Sequence, residues 1–231
     1  MFSVLFEVHP KSEQWDAYLG YAKMLRPELE RVEGFVDNIR YKSLNRDGWI
    51  LSLSNWADEK AVVRWRTKMK HHEIQALSRG EVLSDYHLRV GQITTDTRIP
   101  EGFELKEQRL DETEVGEGTA VVLIDAKRPE QWKETTNPAD CAEWLGLEPL
   151  HGFLGWDLFE AVLTPGDMIL MVTFKDRAAA DEFMGSVILP DEARMRSVRI
   201  IRDYSMFDRR EAPQYYPEIT KSRDVTIEQH N

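Results

Sequence analysis

Apolar and polar positions in this chain repeat one pattern twice. Phe2 to His9 alternates as a strand does, and Trp15, Tyr18, Leu19, Ala22, Leu25, Leu29 and Val32 then recur at helical spacing. Ser12 stands where it can cap that helix, and Pro27 inside it predicts a kink or restart. Gly34 ends the element. Phe35 to Ser43 and Trp49 to Trp56 read as a hairpin turning at Asn45-Arg46-Asp47-Gly48. Asp58 caps a second helix, carrying Ala61, Val62, Trp65 and Met69 and ending before Gly80, and Tyr86 to Ile93 reads as the closing strand. The unit is β-α-β-β-α-β.

The second copy runs through a strand at 119–126, a helical region at 129–147 interrupted at Asn137-Pro138, strands at 153–162 and 168–174 joined by Pro165-Gly166-Asp167, a helix at 178–184 and a strand at 198–206. Phe35 and Phe153, Trp56 and Phe174, and Trp65 and Phe183 share one separation of 118 positions (153 − 35, 174 − 56, 183 − 65). Such an offset is too long for a solenoid and points to a duplicated domain. The expected organisation is a first domain at 1–97, an acidic linker at 98–118, a diverged second domain at 119–210 and a polar tail at 211–231, from which Tyr215-Tyr216-Pro217 can dock as an arm. The linker has seven acidic residues and little periodic apolar pattern, so its charge predicts a solvated tether. Each unit is a split βαβ, or ferredoxin-like, motif with both helices on one sheet face. Two such sheets cover each other's open faces, predicting an α+β protein in which tandem repeats build within one chain what a dimer builds from two. The seam between them is a natural place for a pocket.

Composition narrows the partners. A formal net charge of −11 and a pI near 5.1 repel phosphate backbones and anionic lipid, so neither nucleic acid nor membrane is expected. Cys141 is the single cysteine, which excludes an intrachain disulfide and fits a reducing, cytoplasmic location. No apolar run approaches the roughly 20 residues of a membrane span. Nucleotide-binding and common hydrolase motifs (GxGxxG, GxxxxGK[ST], HExxH, GxSxG) do not occur.

Ser52 to Val90 (SLSNWADEKAVVRWRTKMKHHEIQALSRGEVLSDYHLRV), preceded by GFVDNIRYKS, resembles the antibiotic biosynthesis monooxygenase (ABM) family. The resemblance carries a strand-ending Trp, a helical Trp-Arg, a following His and an Arg-Gly before the return strand. It covers residues 1 to about 95 well and 119–207 by pattern only. It implies a dimeric α+β barrel, realised here by two fused repeats, and in some members oxygenation of phenolic or quinol-like aromatics by O2 without metal or flavin. The fold alone does not decide the activity, and a non-catalytic small-molecule binding module shares it. A homo-oligomer is compatible with either.

Cofactor-free oxygenation requires a substrate that can become an electron-rich anion, hence a base, donors for an oxyanion and walls that exclude water. His72, seven residues beyond Trp65 and so nearly two helical turns on, falls on the face of Trp65, whereas His71 points about 100° away. His72 is the expected base and His71 the lesser candidate; a helix-end histidine bonded to backbone is the bland alternative. Asn38 and Arg40 share one strand face and Tyr41 takes the other, so Asn38 and Arg40 either face the site or meet solvent or the other repeat. Tyr86 offers a phenol, and Trp56, Trp65 and Met69 offer walls, although aromatics at such spacing also serve as plain core. The expected substrate is a small aromatic, with O2 and no cofactor. In the related haem-degrading branch the resemblance implies a ligand His about ten residues after the helical Trp, but Gln75 stands there, and the first strand has Glu7 or His9 where that branch has Asn; a haem-binding or haem-degrading enzyme, with His71 or His72 as the iron ligand, is the alternative. In the second repeat the offset replaces Asn38 with Trp156 and His72 with Pro190, so one site per chain is expected.

Overall fold

A computed structural model describes residues 1–132, 137–148 and 152–216. The first repeat consists of β1 (Phe2–Pro10), α1 (Trp15–Glu30), β2 (Phe35–Ser43), β3 (Ile50–Trp56), α2 (Glu59–Arg66), α3 (Met69–Leu77) and β4 (Leu83–Asp96). The second consists of β5 (Ala120–Lys127), α4 (Pro138–Trp144), β6 (Gly155–Ala161), β7 (Asp167–Phe174), α5 (Arg177–Ser186) and β8 (Arg194–Ser205). The eight strands close into one antiparallel barrel in the order β1-β3-β2-β6-β7-β5-β8-β4. The α+β barrel that the family resemblance implied, built from two tandem repeats, is therefore the fold, closed by β2–β6 on one side and the longer β4–β8 ladder on the other.

The repeats match in detail. Asn38 pairs with Ser54 and Val4 with Ser54 in the first; Trp156 pairs with Val172 and Val122 with Val172 in the second, each displaced by the same 118. Asp58 Oδ1 caps α2 by accepting from Ala61 N at 2.7 Å, and Asp176 Oδ1 caps α5 from Ala179 N at 3.0 Å. Gly34 turns α1 into β2 at φ +87°, and a Cβ there would stand 2.7 Å from that of Ala61, so only glycine permits the close return of the chain.

Strand alternation assigns the cores. Leu5, Tyr41, Leu51, Leu53, Leu123, Phe159, Ile169 and Ile200 fill the barrel interior, while the opposite faces carry one apolar cluster beneath the helices of the second repeat and two beneath those of the first. The seam expected to hold the pocket is thus packed core along most of its length, because Leu, Ile and Phe side chains from both repeats meet there. One barrel mouth is polar. Arg46 Nη2 bonds Glu7 at 2.5 Å and Asp157 at 2.6 Å, Arg89 Nη2 donates to Glu7 at 2.8 Å and Arg89 Nη1 to Thr173 Oγ1 at 2.9 Å, joining the repeats around a cavity of about 600 Å³. Burial alone would raise the Glu7 carboxyl; Arg89 and Arg46 reverse this and hold it below its usual range.

Three sequence expectations change. Pro27 interrupts no helix: α1 runs through it, since its missing N–H costs one bond in a last turn anchored by buried Leu29. The linker is not a solvated tether. Gln108 N and Arg109 N donate to Gln92 Oε1 at 2.8 and 3.0 Å, Arg109 pairs with Glu59 at 2.6 Å, Arg199 with Glu107 at 2.8 Å, and Phe103 and Leu105 pack against the barrel core. Its Glu107 and Arg109 meet charges of opposite sign that lie elsewhere in the sequence. The helical region at 129–147 contains α4 at Pro138–Trp144, capped by Asn137; residues 133–136 of that reading lie outside the described residues, as does Pro217 of the arm. Among the described residues no helix is long and apolar enough to cross a membrane.

Candidate functional site

Between the outer sheet face of the first repeat and α1, α2 and α3 lies a chamber of about 200 Å³. Its floor is set by period-2 alternation: Asn38 and Arg40 of β2, Ser52 and Ser54 of β3, and Tyr86, Leu88 and Val90 of β4 all point outward from the barrel toward the helices. Of the two faces the sequence left open for Asn38 and Arg40, the structure places them on the chamber side, with Tyr41 in the barrel core. Asn38 Nδ2 donates to Ser52 Oγ at 3.0 Å and Leu53 O at 3.1 Å, so its amide braces the floor. Arg40 stands beside the Tyr18 hydroxyl, and its Nε is buried without a hydrogen-bond partner. Burial raises the Tyr18 hydroxyl above its usual pKa, with Arg40 partly opposing.

The helical wall departs from the continuous helix assumed above. α2 stops at Arg66, and Lys68 takes an extended conformation (φ −64°, ψ 128°) before α3 restarts at Met69. That break resets the helical phase. His71, not His72, turns onto Trp65, their rings stacked at 4.2 Å and 25°, and lines the chamber. Met69, expected as a wall, is 77% exposed. His72 is exposed outside the chamber and bonds Tyr216 Oη through Nδ1 at 3.1 Å. Burial lowers the His71 pKa to about 4, with contacts to the backbone of Trp65 and Arg66 partly opposing, so its ring is neutral at pH 7. Its Nδ1 is buried with no hydrogen-bond partner.

Trp65 lines the chamber, whereas Trp56 does not: it is fully buried beneath α2, edge-on to Phe35 at 5.4 Å, with Nε1 donating to Ser54 Oγ at 3.0 Å. Tyr86 lines the chamber and accepts from Arg209 Nη1 at 2.5 Å. The structure therefore gathers His71, Asn38, Arg40, Trp65 and Tyr86, and leaves out His72, Met69 and Trp56.

Several lining residues escaped the sequence reading. Tyr18 passed as an apolar helix position, and Arg202, Tyr204, Arg209 and Tyr216 come from β8 and the segment after it, more than 100 positions beyond Tyr86. Only the arm containing Tyr216 carried any signal. Glu7 and His9, weighed for the haem-degrading branch, lie elsewhere, Glu7 in the barrel mouth and His9 stacked on Trp49 at 5.3 Å. Gln75 does line the chamber, at the position where that branch has its ligand.

A barrel of two fused ferredoxin-like units, with a chamber of apolar walls and converging polar groups under the helices of one unit, is the architecture of a small-molecule site. The sequence model of the antibiotic biosynthesis monooxygenase family matches residues 1–77, which carry most of the chamber. A protein of Pyricularia oryzae (strain 70-15), named Jasmonate monooxygenase ABM, is 47% identical over 224 residues, spanning 94% of this chain and 99% of that protein. This chain belongs to the antibiotic biosynthesis monooxygenase family. Likeness to solved structures is weak. A putative monooxygenase from Lactobacillus acidophilus NCFM matches at 8% identity over 87% of this chain and 94% of its own, with a TM-score of 0.39. A conserved protein from Methanosarcina mazei Go1 matches at 22% identity over 38% of this chain and 88% of its own, with a TM-score of 0.36.

Proposed function

We propose that this chain is an O2-dependent monooxygenase that oxidises a small, mostly apolar carboxylate in the first-repeat chamber, without metal or organic cofactor. The observation that carries the reading is the charge of the chamber. Arg26, Arg40, Arg66, Arg79, Arg202 and Arg209 line it, against Glu59 as the single carboxylate among the described lining residues, in a chain of net charge −11. Arg26 and Glu59 already have partners in Glu30 and Arg109, whereas Arg40 sits on the floor with a buried unpartnered Nε. A carboxylate that reaches Arg40 completes that donor set, and the apolar walls take the rest of the molecule. The relative at 47% identity is named for jasmonate, an apolar body with one carboxylate, which supports the same class.

His71 supplies the proton acceptor. A base with a pKa near 4 is weak while it faces an apolar space, but an anion forming beside it stabilises the imidazolium and raises its basicity during the transfer. The reacting group is then an enolisable ketone or a phenol, whose anion gives electrons to O2. Oxidation of CH2 to C=O releases four electrons, the number O2 takes up in forming the new carbonyl oxygen and one water. No further reductant is needed on that course; stopping at the alcohol would require two more electrons from a donor. A phenol or quinol is the second substrate class, favoured by the flat Trp65–His71 stack and the Tyr18, Tyr86 and Tyr204 rings.

The test is oxygen uptake with jasmonate, its methyl ester and a simple quinol, with and without NADPH, on wild type and Arg40→Gln. A charge-assisted bond on the order of 1.5–3 kcal/mol predicts that Arg40→Gln raises KM for the acid by at least about tenfold and leaves the ester little changed. Equal effects on acid and ester would remove Arg40 as the anion anchor. A haemin complex with a Soret band displaced by His71→Ala would overturn the cofactor-free course.

A further inference from the structure

The chamber is closed by a part of the chain that lies outside the matched family region. After β8, residues 206–216 turn back across the first repeat. Arg209 is the post of this strap. Its guanidinium lies 5.5 Å from the Tyr204 ring and 5.2 Å from the Tyr216 ring, with Nη1 donating to Tyr86 Oη and Nη2 to Gln214 O at 2.8 Å. Gln214 Nε2 donates to Arg66 O at 3.1 Å, at the break between α2 and α3. Tyr216 Oη meets His72 Nδ1 at 3.1 Å and donates to Gln75 Oε1 at 3.2 Å, and its ring stacks on His72 at 5.3 Å and 21°.

The wall that the strap holds is weakly held by anything else. α3 has no buried residue, and its Lys68 start lacks a side-chain cap. Met206 anchors the root of the strap in the apolar layer and Ala212 packs beside it, whereas the contacts of its far end with α3 are polar and partly exposed, with Tyr215 89% exposed. Elements fastened by a few solvent-accessible hydrogen bonds open at lower free energy than the apolar layers around them, and such elements serve as lids. The barrel floor and α1 are packed; the α3–strap edge is the part free to move.

Resting on the reading that substrate occupies this chamber, we propose that Tyr216 is a specificity-determining residue: its ring caps the α3 end of the chamber and sets the longest substrate admitted, while its hydroxyl, on His72 and Gln75, latches the strap to α3 as a gate. This assigns His72 to the latch. It also gives the duplicated barrel a use in the site, since the strap that closes the first-repeat chamber extends from the last strand of the second repeat.

The experiment uses the full chain with Tyr216→Ala and Tyr216→Phe. Hydrogen exchange followed by mass spectrometry reads the latch, and binding of straight-chain carboxylates from six to fourteen carbons, followed by thermal shift, reads the length limit. Loss of one or two exposed hydrogen bonds predicts that exchange at 66–77 accelerates about fivefold to tenfold in both variants, with α1 unchanged. Tyr216→Ala admits acids about two to four carbons longer than wild type, and Tyr216→Phe keeps the wild-type limit. Unchanged exchange at 66–77 in both variants overturns the latch, and an unchanged length limit in Tyr216→Ala overturns the specificity role. If no carboxylate of any length binds wild type, the limit falls with the substrate reading on which it rests, while the exchange result decides the latch independently.

Discussion

The two repeats share a backbone register and differ in what their outer sheet faces carry. At 38, 40, 52 and 54 the first has Asn, Arg, Ser and Ser; at the matching 156, 158, 170 and 172 the second has Trp, Leu, Leu and Val. On the apolar floor Leu158, Leu170 and Val172 are fully buried, and Trp156, Phe183, Leu145 and Trp144 pack into one layer with them. On the polar floor Asn38 braces Ser52 and Arg40 keeps an unpartnered donor, and the helices above pack in two separate apolar clusters, one joining Tyr18 to Val8 and Ile50, the other Leu29 and Val62 to Phe2 and Trp56. The same fold gives a core in one half and a chamber in the other, and four side chains make the difference. A duplicated domain can in this way keep one copy as support and the other as site.

The harshest test of the comparison transplants the polar floor. Leu158→Arg places a guanidinium in a fully buried apolar layer, and we expect it to cost at least about 4 kcal/mol or abolish folding, read from urea unfolding. A native-like midpoint would mean the second repeat can open a chamber of its own. The reverse transplant acts on function instead. Ser52→Leu with Arg40→Leu should fill the chamber and lower turnover by about a hundredfold or more, with a change in urea midpoint worth less than about 1.5 kcal/mol. Preserved turnover would relocate the site.

Between the two histidines, we expect His71→Ala to lower kcat by about a hundredfold, within the range a positioned base contributes, and His72→Ala to lower it by no more than about threefold. Equal losses would show that α3 rotates in solution away from the phase described above. The same histidine also sets a pH dependence of stability. With a pKa of about 4 folded and an ordinary value near 6.5 unfolded, His71 binds its proton more readily in the unfolded chain. Stability is therefore lost as pH falls from about 6.5 toward 4, and His71→Gln should flatten that part of the profile. An identical slope between pH 6.5 and 4.5 in wild type and variant would show that the ring is solvated in the folded chain.

Beside the barrel that the family resemblance implied, the hydrophobic pattern by itself determined the duplication, the β-α-β-β-α-β order of each unit and the loss of polar residues from the second repeat. These follow from local periodicity and from the need to cover one sheet face, which every segment of sequence carries within itself. Tertiary structure decided the rest. A two-residue break at Thr67–Lys68 exchanged His72 for His71, because helical phase beyond a break depends on how the chain restarts and not on residue count. The linker found Glu59 and Arg199 as partners for its Arg109 and Glu107, and the seam filled with core, because both depend on residues distant in sequence meeting in space. Arg202, Tyr204, Arg209 and Tyr216 entered the chamber for the same reason: closing the barrel through β4 and β8 sets the end of the second repeat beside the floor of the first, a proximity that no spacing along the chain encodes.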